Sequence, residues 1–173
     1  MVEEPKRKTM DIIDQAMRYL EHRPRTEKEM RGRLSEKGFA DDEIDAAIEE
    51  LKGPGYINDA EYGTSYLIYA FGKGRSLGRA RYEMREKGLS AEDIQKAIFA
   101  YEDEFEVDIE AEDIKRAEEQ ARKFIEQNGT GEKKIAAMGR RLNGLGYSPQ
   151  TIYSLMAKYR EKYGEDAFDD IDG

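Results

Sequence analysis

Apolar residues recur along this chain at helical spacing almost to residue 159, and no alternating Val/Ile/Thr run of the kind a strand needs occurs anywhere. The helical pattern itself repeats. Three segments align on a glycine followed by a hydrophobic residue: Gly38-Phe39, Gly88-Leu89 and Gly146-Tyr147. Four residues before each glycine stand Leu34, Met84 and Leu142, and eight before stand Met30, Ala80 and Met138. Six after it come Ile44, Ile94 and Ile152, ten after come Ile48, Ile98 and Met156, and thirteen after come Leu51, Tyr101 and Tyr159. Copies are offset by 50 and 58 residues. Self-similarity of this kind is the mark of a repeat architecture.

Each glycine reads as the left-handed residue that ends a helix, followed by a short turn and a new helix. Asp41, Ser90 and Ser148 stand where N-caps belong, and Pro149 suits a first helical position. Thr26 with Glu29 reads as a capping box. Amphipathic stretches at 9–22, 59–72 and 108–127 supply a further helix upstream of each pair. Each unit is therefore three helices in about 45 to 55 residues, a size that buries little surface alone and gains from packing in series. Gly53-Pro54-Gly55 and Asn128-Gly129-Thr130-Gly131 are the clearest breaks. The divisions expected are an N-terminal tail (1–8), three repeats (9–57, 58–104 and 105–163, the last opening on an acidic linker), and an acidic C-terminal tail (164–173).

Composition narrows the chemistry. The 173 residues include no Cys, no Trp and one His. That excludes disulfides, thiolate metal sites, a cysteine nucleophile and a multi-histidine centre. No apolar run is long enough to span a bilayer, and the first residues lack a hydrophobic signal core, so a cytoplasmic protein without membrane contact is expected. A monomer is expected, with no cofactor.

Charge is abundant (39% of residues) and unevenly placed. The formal net charge is −9, but 102–119 and 161–173 together carry −13 and leave the remainder at +4. Bases cluster at 23–33, 73–87 and 133–141. Segregation of this sort suggests distinct surfaces for distinct partners.

The middle helix of each unit has its buried stripe on Met30 and Leu34, on Leu77, Ala80 and Met84, or on Ile135, Met138 and Leu142. Counting 100° per residue, Arg25, Arg75 and Lys133 lie opposite that stripe if the helices extend so far. Arg31 and Arg81 flank it. Lys28, Arg79, Arg85 and Arg140 also project outward. Cations at a helix N-terminus oppose the macrodipole, so stability alone does not place them there, whereas an anionic partner does. Gly72-Lys73-Gly74-Arg75-Ser76-Leu77-Gly78 fails as a phosphate loop, because its spacing is wrong and no strand precedes it. The acidic run 103–113 lacks the spacing and central glycine of a calcium loop. His22 reads as the end of the first helix, and Tyr62, Tyr66 and Tyr69 as core or edge packing.

Arg23-Pro-Arg-Thr-Glu-Lys-Glu-Met-Arg-Gly-Arg-Leu-Ser-Glu-Lys-Gly-Phe39 is similar to the first-repeat signature of the RecX regulatory proteins. Gly55-Tyr-Ile-Asn-Asp-Ala-Glu-Tyr62 resembles the connection that follows it there, and Gly74-Arg-Ser-Leu-Gly-Arg-Ala-Arg-Tyr-Glu-Met-Arg-Glu-Lys-Gly-Leu89 resembles the second-repeat segment. The resemblance spans roughly residues 10–160. It implies an all-α fold, an elongated tandem array of three three-helix repeats in a right-handed, curved, solenoid-like arrangement. It also implies a regulator, not an enzyme, that binds RecA recombinase in its filament on single-stranded DNA and limits recombination and the SOS response. By matching position the contact residues are Arg25, Lys28, Arg31, Arg75, Arg79, Arg81 and Arg85, with Lys133, Lys134, Arg140 and Arg141 added by the third repeat. The third repeat departs from the first two in having Leu145 before its glycine, and Gly139 and Gly144 inside its middle helix. The acidity of the chain favours contact with protein over independent DNA binding, with weak direct DNA binding left open. The rival readings are a helix-turn-helix-like DNA-binding regulator and a helical adaptor for another protein.

Overall fold

The computed structural model describes residues 4–163, with side chains described from residue 11 onward. The expected C-terminal tail (164–173) lies outside the described residues. Among the described residues every regular element is a helix: α1 (Glu4–His22), α2 (Glu27–Glu36), α3 (Asp41–Lys52), α4 (Asp59–Gly72), α5 (Leu77–Glu86), α6 (Ala91–Phe105), α7 (Ile109–Asn128), α8 (Glu132–Gly144) and α9 (Pro149–Tyr163). Helix α1 takes in residues 4–8 of the stretch expected as a tail. Pro5 is tolerated in a first helical turn, and no glycine or proline follows before His22 to stop the helix.

The marker glycines do what their spacing predicts. Gly38, Gly88 and Gly146 have φ of 87°, 96° and 87°. Around each, the N–H of the next residue donates to the carbonyl five back: Phe39 to Leu34, Leu89 to Met84, and Tyr147 to Leu142. The glycine N–H donates three back, to Ser35, Arg85 and Asn143. This is the Schellman closure in three copies, and it satisfies carbonyls that would otherwise be orphaned.

The helix starts follow the caps less closely. Ser90 and Ser148 accept from the N–H groups of Asp93 (3.0 Å) and Thr151 (3.1 Å), as N-caps do. Asp41 is instead the first residue of α3. The cap position is Ala40, whose N–H is held by the Glu43 carboxylate at 2.9 Å. Thr26 accepts from Glu29 N–H at 3.1 Å. The Glu29 carboxylate is turned to Arg23 and Lys87 rather than back to the cap.

The residues divide into two compact units, Met1–Tyr66 with Glu83–Ala100, and Leu67–Tyr82 with Tyr101–Gly173. In the first, Ile12 and Ala16 of α1 meet Met30 and Leu34 of α2 and Ile44, Ala47, Ile48 and Leu51 of α3, with Ile57 closing the cluster. In the second, Ala117, Ala121 and Ile125 of α7 meet Ile135, Met138 and Leu142 of α8 and Ile152 and Leu155 of α9. Leu77, Ala80 and Met84, the stripe expected on α5, are also buried. Each Leu, Ile or Met so buried contributes roughly 1.5–3 kcal/mol relative to exposure. Gly63 permits a close approach within the first unit. A Cβ there would lie 2.7 Å from the Ala97 Cβ and 3.0 Å from Leu89.

Two polar side chains are buried among the described residues, Thr26 and Ser76, and they occupy the same place in successive repeats. Each precedes a middle helix and hydroxyl-caps it. Each also donates to a carbonyl at the glycine turn of the repeat that follows. Thr26 Oγ1 reaches Lys87 O at 2.8 Å, and Ser76 Oγ reaches Gly146 O at 2.6 Å. An aspartate of the following repeat then accepts the first helical N–H. Asp59 takes that of Glu27 (2.9 Å), and Asp113 takes that of Leu77 (2.7 Å). A glycine is required where these elements meet. A Cβ on Gly88 would lie 2.5 Å from the Lys28 Cβ, and one on Gly146 would lie 2.6 Å from the Arg79 Cβ.

The acidic run expected as a linker is mostly helical. Only residues 106–108 lie between α6 and α7, with Glu106 at φ 51°. The acids serve as helix-end acceptors. Glu102 takes Ile109 N–H at 3.1 Å, and Asp108 caps α7 through Ala111 N–H at 2.9 Å. Carboxylates at helix N-termini also complement the macrodipole.

Candidate partner interface

The middle helices α2, α5 and α8 carry the cations singled out in the sequence, and the structure separates those with internal duties from those without. Arg25 and Arg75 precede the caps Thr26 and Ser76, so they lie outside α2 and α5 and not on their first turns. The hydroxyl caps start those helices at Glu27 and Leu77, as the Thr26 capping position predicts for α2. Lys133 does lie inside its helix, because Gly131 precedes an earlier start of α8.

In the first unit, the Arg25 Nε donates to Tyr19 O at 3.2 Å, and its guanidinium lies 5.4 Å from the Tyr19 ring centre. The Lys28 Nζ donates to Glu86 O at 3.0 Å. Arg31 is clamped between Glu27 (2.8 Å) and Asp45, and the hydrogen bonds it donates to those carboxylates, Asp45 first, raise its pKa. Burial pushes the Glu27 carboxyl up, but hydrogen bonds and charge from Arg31 and Lys52 outweigh it, and Glu27 ends below its ordinary value. Arg85 is exposed and meets no carboxylate among the described residues.

Arg25 and Lys28 open onto a shallow groove of about 400 Å³ that is also lined by Arg23, Arg33, Lys87 and Glu36. The groove gathers more positive than negative side chains. Arg23, Arg33 and Lys87 were not singled out in the sequence, although Arg23 and Arg33 belong to its first basic cluster. Arg23 pairs with Glu29 at 2.8 Å, and that hydrogen bond raises its pKa.

In the second unit, Arg75 lies 5.5 Å over the Tyr69 ring, which Lys73 also faces at 5.9 Å, and Arg79 lies 5.9 Å from the Tyr82 ring. Both tyrosines are half exposed. Tyrosine and arginine are both enriched at protein-binding hot spots. Arg81 reaches Glu110 at 3.4 Å. Lys133, Lys134, Arg140 and Arg141 are exposed on α8, and no ion pair holds them among the described residues. Glu132, their only acidic neighbour in that turn, is committed to Arg160, whose hydrogen bond lowers its pKa.

No group of three or more His, Asp or Glu side chains is placed to hold a metal ion among the described residues. No described helix is long and apolar enough to cross a membrane. Helices alone, with cations collected on α2, α5 and α8, define an all-α protein among the described residues. The profile described as "RecX, first three-helix domain" matches residues 13–51. Regulatory protein RecX of Listeria welshimeri is 33% identical over 127 residues, 71% of this chain and 44% of that protein. RecX of Clostridium perfringens is 43% identical over 81 residues, 46% of this chain and 36% of that protein. The crystal structure of RecX from Lactobacillus salivarius covers 90% of this chain and 99% of its own, with a TM-score of 0.73 at 19% identity. The chain is thus similar to RecX regulatory proteins in its first three-helix domain and in sequence over up to 127 residues, and it shares their fold over most of its length. It spans about half the length of the curated relatives it matches.

Proposed function

We propose that this chain binds RecA recombinase in its filament on single-stranded DNA, inhibits or remodels that filament, and so modulates recombination and the SOS response. It acts by binding, in the cytoplasm, without a cofactor. Similarity to RecX regulatory proteins in sequence and fold carries the reading. The placement of the cations supports it: Lys28, Arg85, Lys133, Lys134, Arg140 and Arg141 are exposed without a carboxylate partner among the described residues. The chain around them is net acidic, so charge repulsion disfavours naked duplex DNA while leaving these side chains for acidic protein surface or phosphate. Arg31 and Arg81 are satisfied within the fold and offer less to a partner.

An exposed charge pair is worth only about 0.2–1 kcal/mol, so no single cation supplies affinity. Repeats in series engaging a repeating partner gain by multivalency, by roughly 10²–10⁴ over one contact. The test is RecA ATPase on single-stranded DNA with this protein titrated in. The wild type is expected to inhibit. The set Lys133→Glu, Lys134→Glu, Arg140→Glu and Arg141→Glu is expected to raise the half-inhibiting concentration by roughly ten-fold or more. Inhibition unchanged by that set rejects the assigned residues, and no effect of the wild type at any concentration rejects the function.

A further inference from the structure

Gly32 lies exposed in the middle of α2, at a place where nothing in the fold asks for glycine. It has no positive φ, and a Cβ there would meet nothing within 4 Å. Glycine weakens a helix interior relative to alanine, and the use that remains for it here is to let a ligand come close to the backbone. The matched positions, six residues before the marker glycine, are Tyr82 in the second repeat and Arg140 in the third, both exposed. The first repeat alone leaves this place bare.

Over Gly32 runs the groove of about 400 Å³ between α2 and Glu86-Lys87. Five cations line it, Arg23, Arg25, Lys28, Arg33 and Lys87, against three carboxylates, Glu29, Glu36 and Glu86. This chemistry belongs to the first repeat's joint alone. At the matched positions of the next joint Lys28, Glu86 and Lys87 become Gly78, Gly144 and Leu145. The cations are held lightly: Arg23 and Lys87 share Glu29 at 2.8 and 3.8 Å, Arg33 meets Glu36 at 3.1 Å, and Lys28 donates to Glu86 O at 3.0 Å. Pairs near the surface contribute little, so a partner's carboxylates can replace them at small cost.

Both signs in one groove select the occupant. A phosphodiester strand carries negative charge only, and Glu29, Glu36 and Glu86 repel it. A polypeptide can set carboxylates on the cations and main-chain N–H groups on the acids, and the excess of cations asks for an excess of acids in the segment. The groove is shallow, which suits a chain passing through more than a small molecule, since a small-molecule pocket buries most of its ligand. We propose that the groove over Gly32 seats an extended, acid-rich polypeptide segment of the protein partner, with the segment's main chain against the bare face of α2. The proposal rests on the binding reading above only for the name of that partner.

Gly32→Tyr installs the side chain that the second repeat carries at this place, filling the groove without removing a cation. Gly32→Ala also strengthens the helix but leaves the groove open. Both are expected to keep or raise the thermal midpoint, which verifies the fold. In the RecA ATPase assay with the full chain, Gly32→Tyr is expected to raise the half-inhibiting concentration roughly ten-fold, and Gly32→Ala less than about two-fold. Fluorescence anisotropy adds two probes of equal charge, a labelled peptide of alternating Glu and Gly and a labelled oligothymidylate. The peptide is expected to bind the wild type and to weaken roughly five-fold or more on Gly32→Tyr, while the oligothymidylate is indifferent to the substitution. Undiminished inhibition by Gly32→Tyr, an equal loss with Gly32→Ala, or a peptide that does not bind the wild type overturns the proposal. So does an oligothymidylate that loses affinity on Gly32→Tyr while the peptide does not, which would put nucleic acid in the groove. A wild type that fails to inhibit rejects the RecA reading instead, and the peptide measurements then decide the groove alone.

Discussion

Thr26→Val exchanges one oxygen for a methyl group in the interior of the first unit. Thr26 is fully buried, and its hydroxyl serves two groups at once. It accepts from Glu29 N–H at 3.1 Å, and it donates to Lys87 O at 2.8 Å, 61 residues further along. Valine keeps the shape and loses both bonds. Loss of an N-cap costs about 1 kcal/mol, with a range of 0.5–2. A buried carbonyl left without its donor adds about 1–3 kcal/mol. The expected total is about 2–4 kcal/mol. Thr26→Ser keeps both bonds and loses one methyl group, for about 1 kcal/mol. Urea unfolding of the three proteins measures the difference as a shift in midpoint. The slope should be unchanged, because the surface exposed on unfolding is the same. If the two units melt separately, the shift belongs to the transition of the first, since Thr26 and Lys87 both lie there. A Thr26→Val midpoint equal to that of Thr26→Ser would refute the double role assigned to the hydroxyl.

Gly38→Ala and Gly146→Ala separate backbone strain from close approach. Both glycines have φ of 87°, but a Cβ on Gly38 meets nothing within 4 Å, while one on Gly146 meets the Arg79 Cβ at 2.6 Å. Gly38→Ala is expected to cost about 1–2 kcal/mol and Gly146→Ala at least about 1 kcal/mol more, as read by thermal unfolding. Tyr147 gives the protein an alkaline limit. Burial first, then the Asp113 charge, pushes its phenol up to about 12 from an ordinary 10.0. Below the ordinary value the phenol is protonated in both states. As pH rises from there to the raised value the unfolded chain releases the proton and the fold does not, so stability falls, by on the order of 1–3 kcal/mol. Tyr147→Phe is expected to abolish that slope in unfolding midpoints measured across the window. It should also cost about 1 kcal/mol at neutral pH, through the lost 2.9 Å bond to Gly74 O.

The repeat was legible because its information is local. Glycine at the ends of α2, α5 and α8, and the apolar residues four and eight before it, declare helices and faces within a dozen residues. What stayed hidden depends on partners far along the chain. Ser76 sits in a glycine-rich stretch whose obvious question was phosphate binding. Its bond to Gly146 O joins residues 70 apart and leaves no local pattern. The acidic run 102–113 looked like a linker because its charge was visible and its acceptors' donors were not. The candidate interface was legible as clusters of cations. Which of them the fold consumes was not, since Asp45 and Glu110, the carboxylates facing Arg31 and Arg81, stand 14 and 29 residues away. Gly139 read as a helix defect until its nearness to Met156 placed it against α9.

The hydroxyl links of Thr26 and Ser76 point forward along the chain, each to a glycine turn not yet translated when its own helix leaves the ribosome. A nascent chain that has emerged as far as α4 must leave Thr26 hydrated. Its latch closes only after the Lys87–Gly88 turn is synthesised, and that of Ser76 waits for Gly146. Assembly therefore lags synthesis by roughly one repeat, and a stalled chain would expose its last incomplete joint to whatever chaperone or protease surveys it.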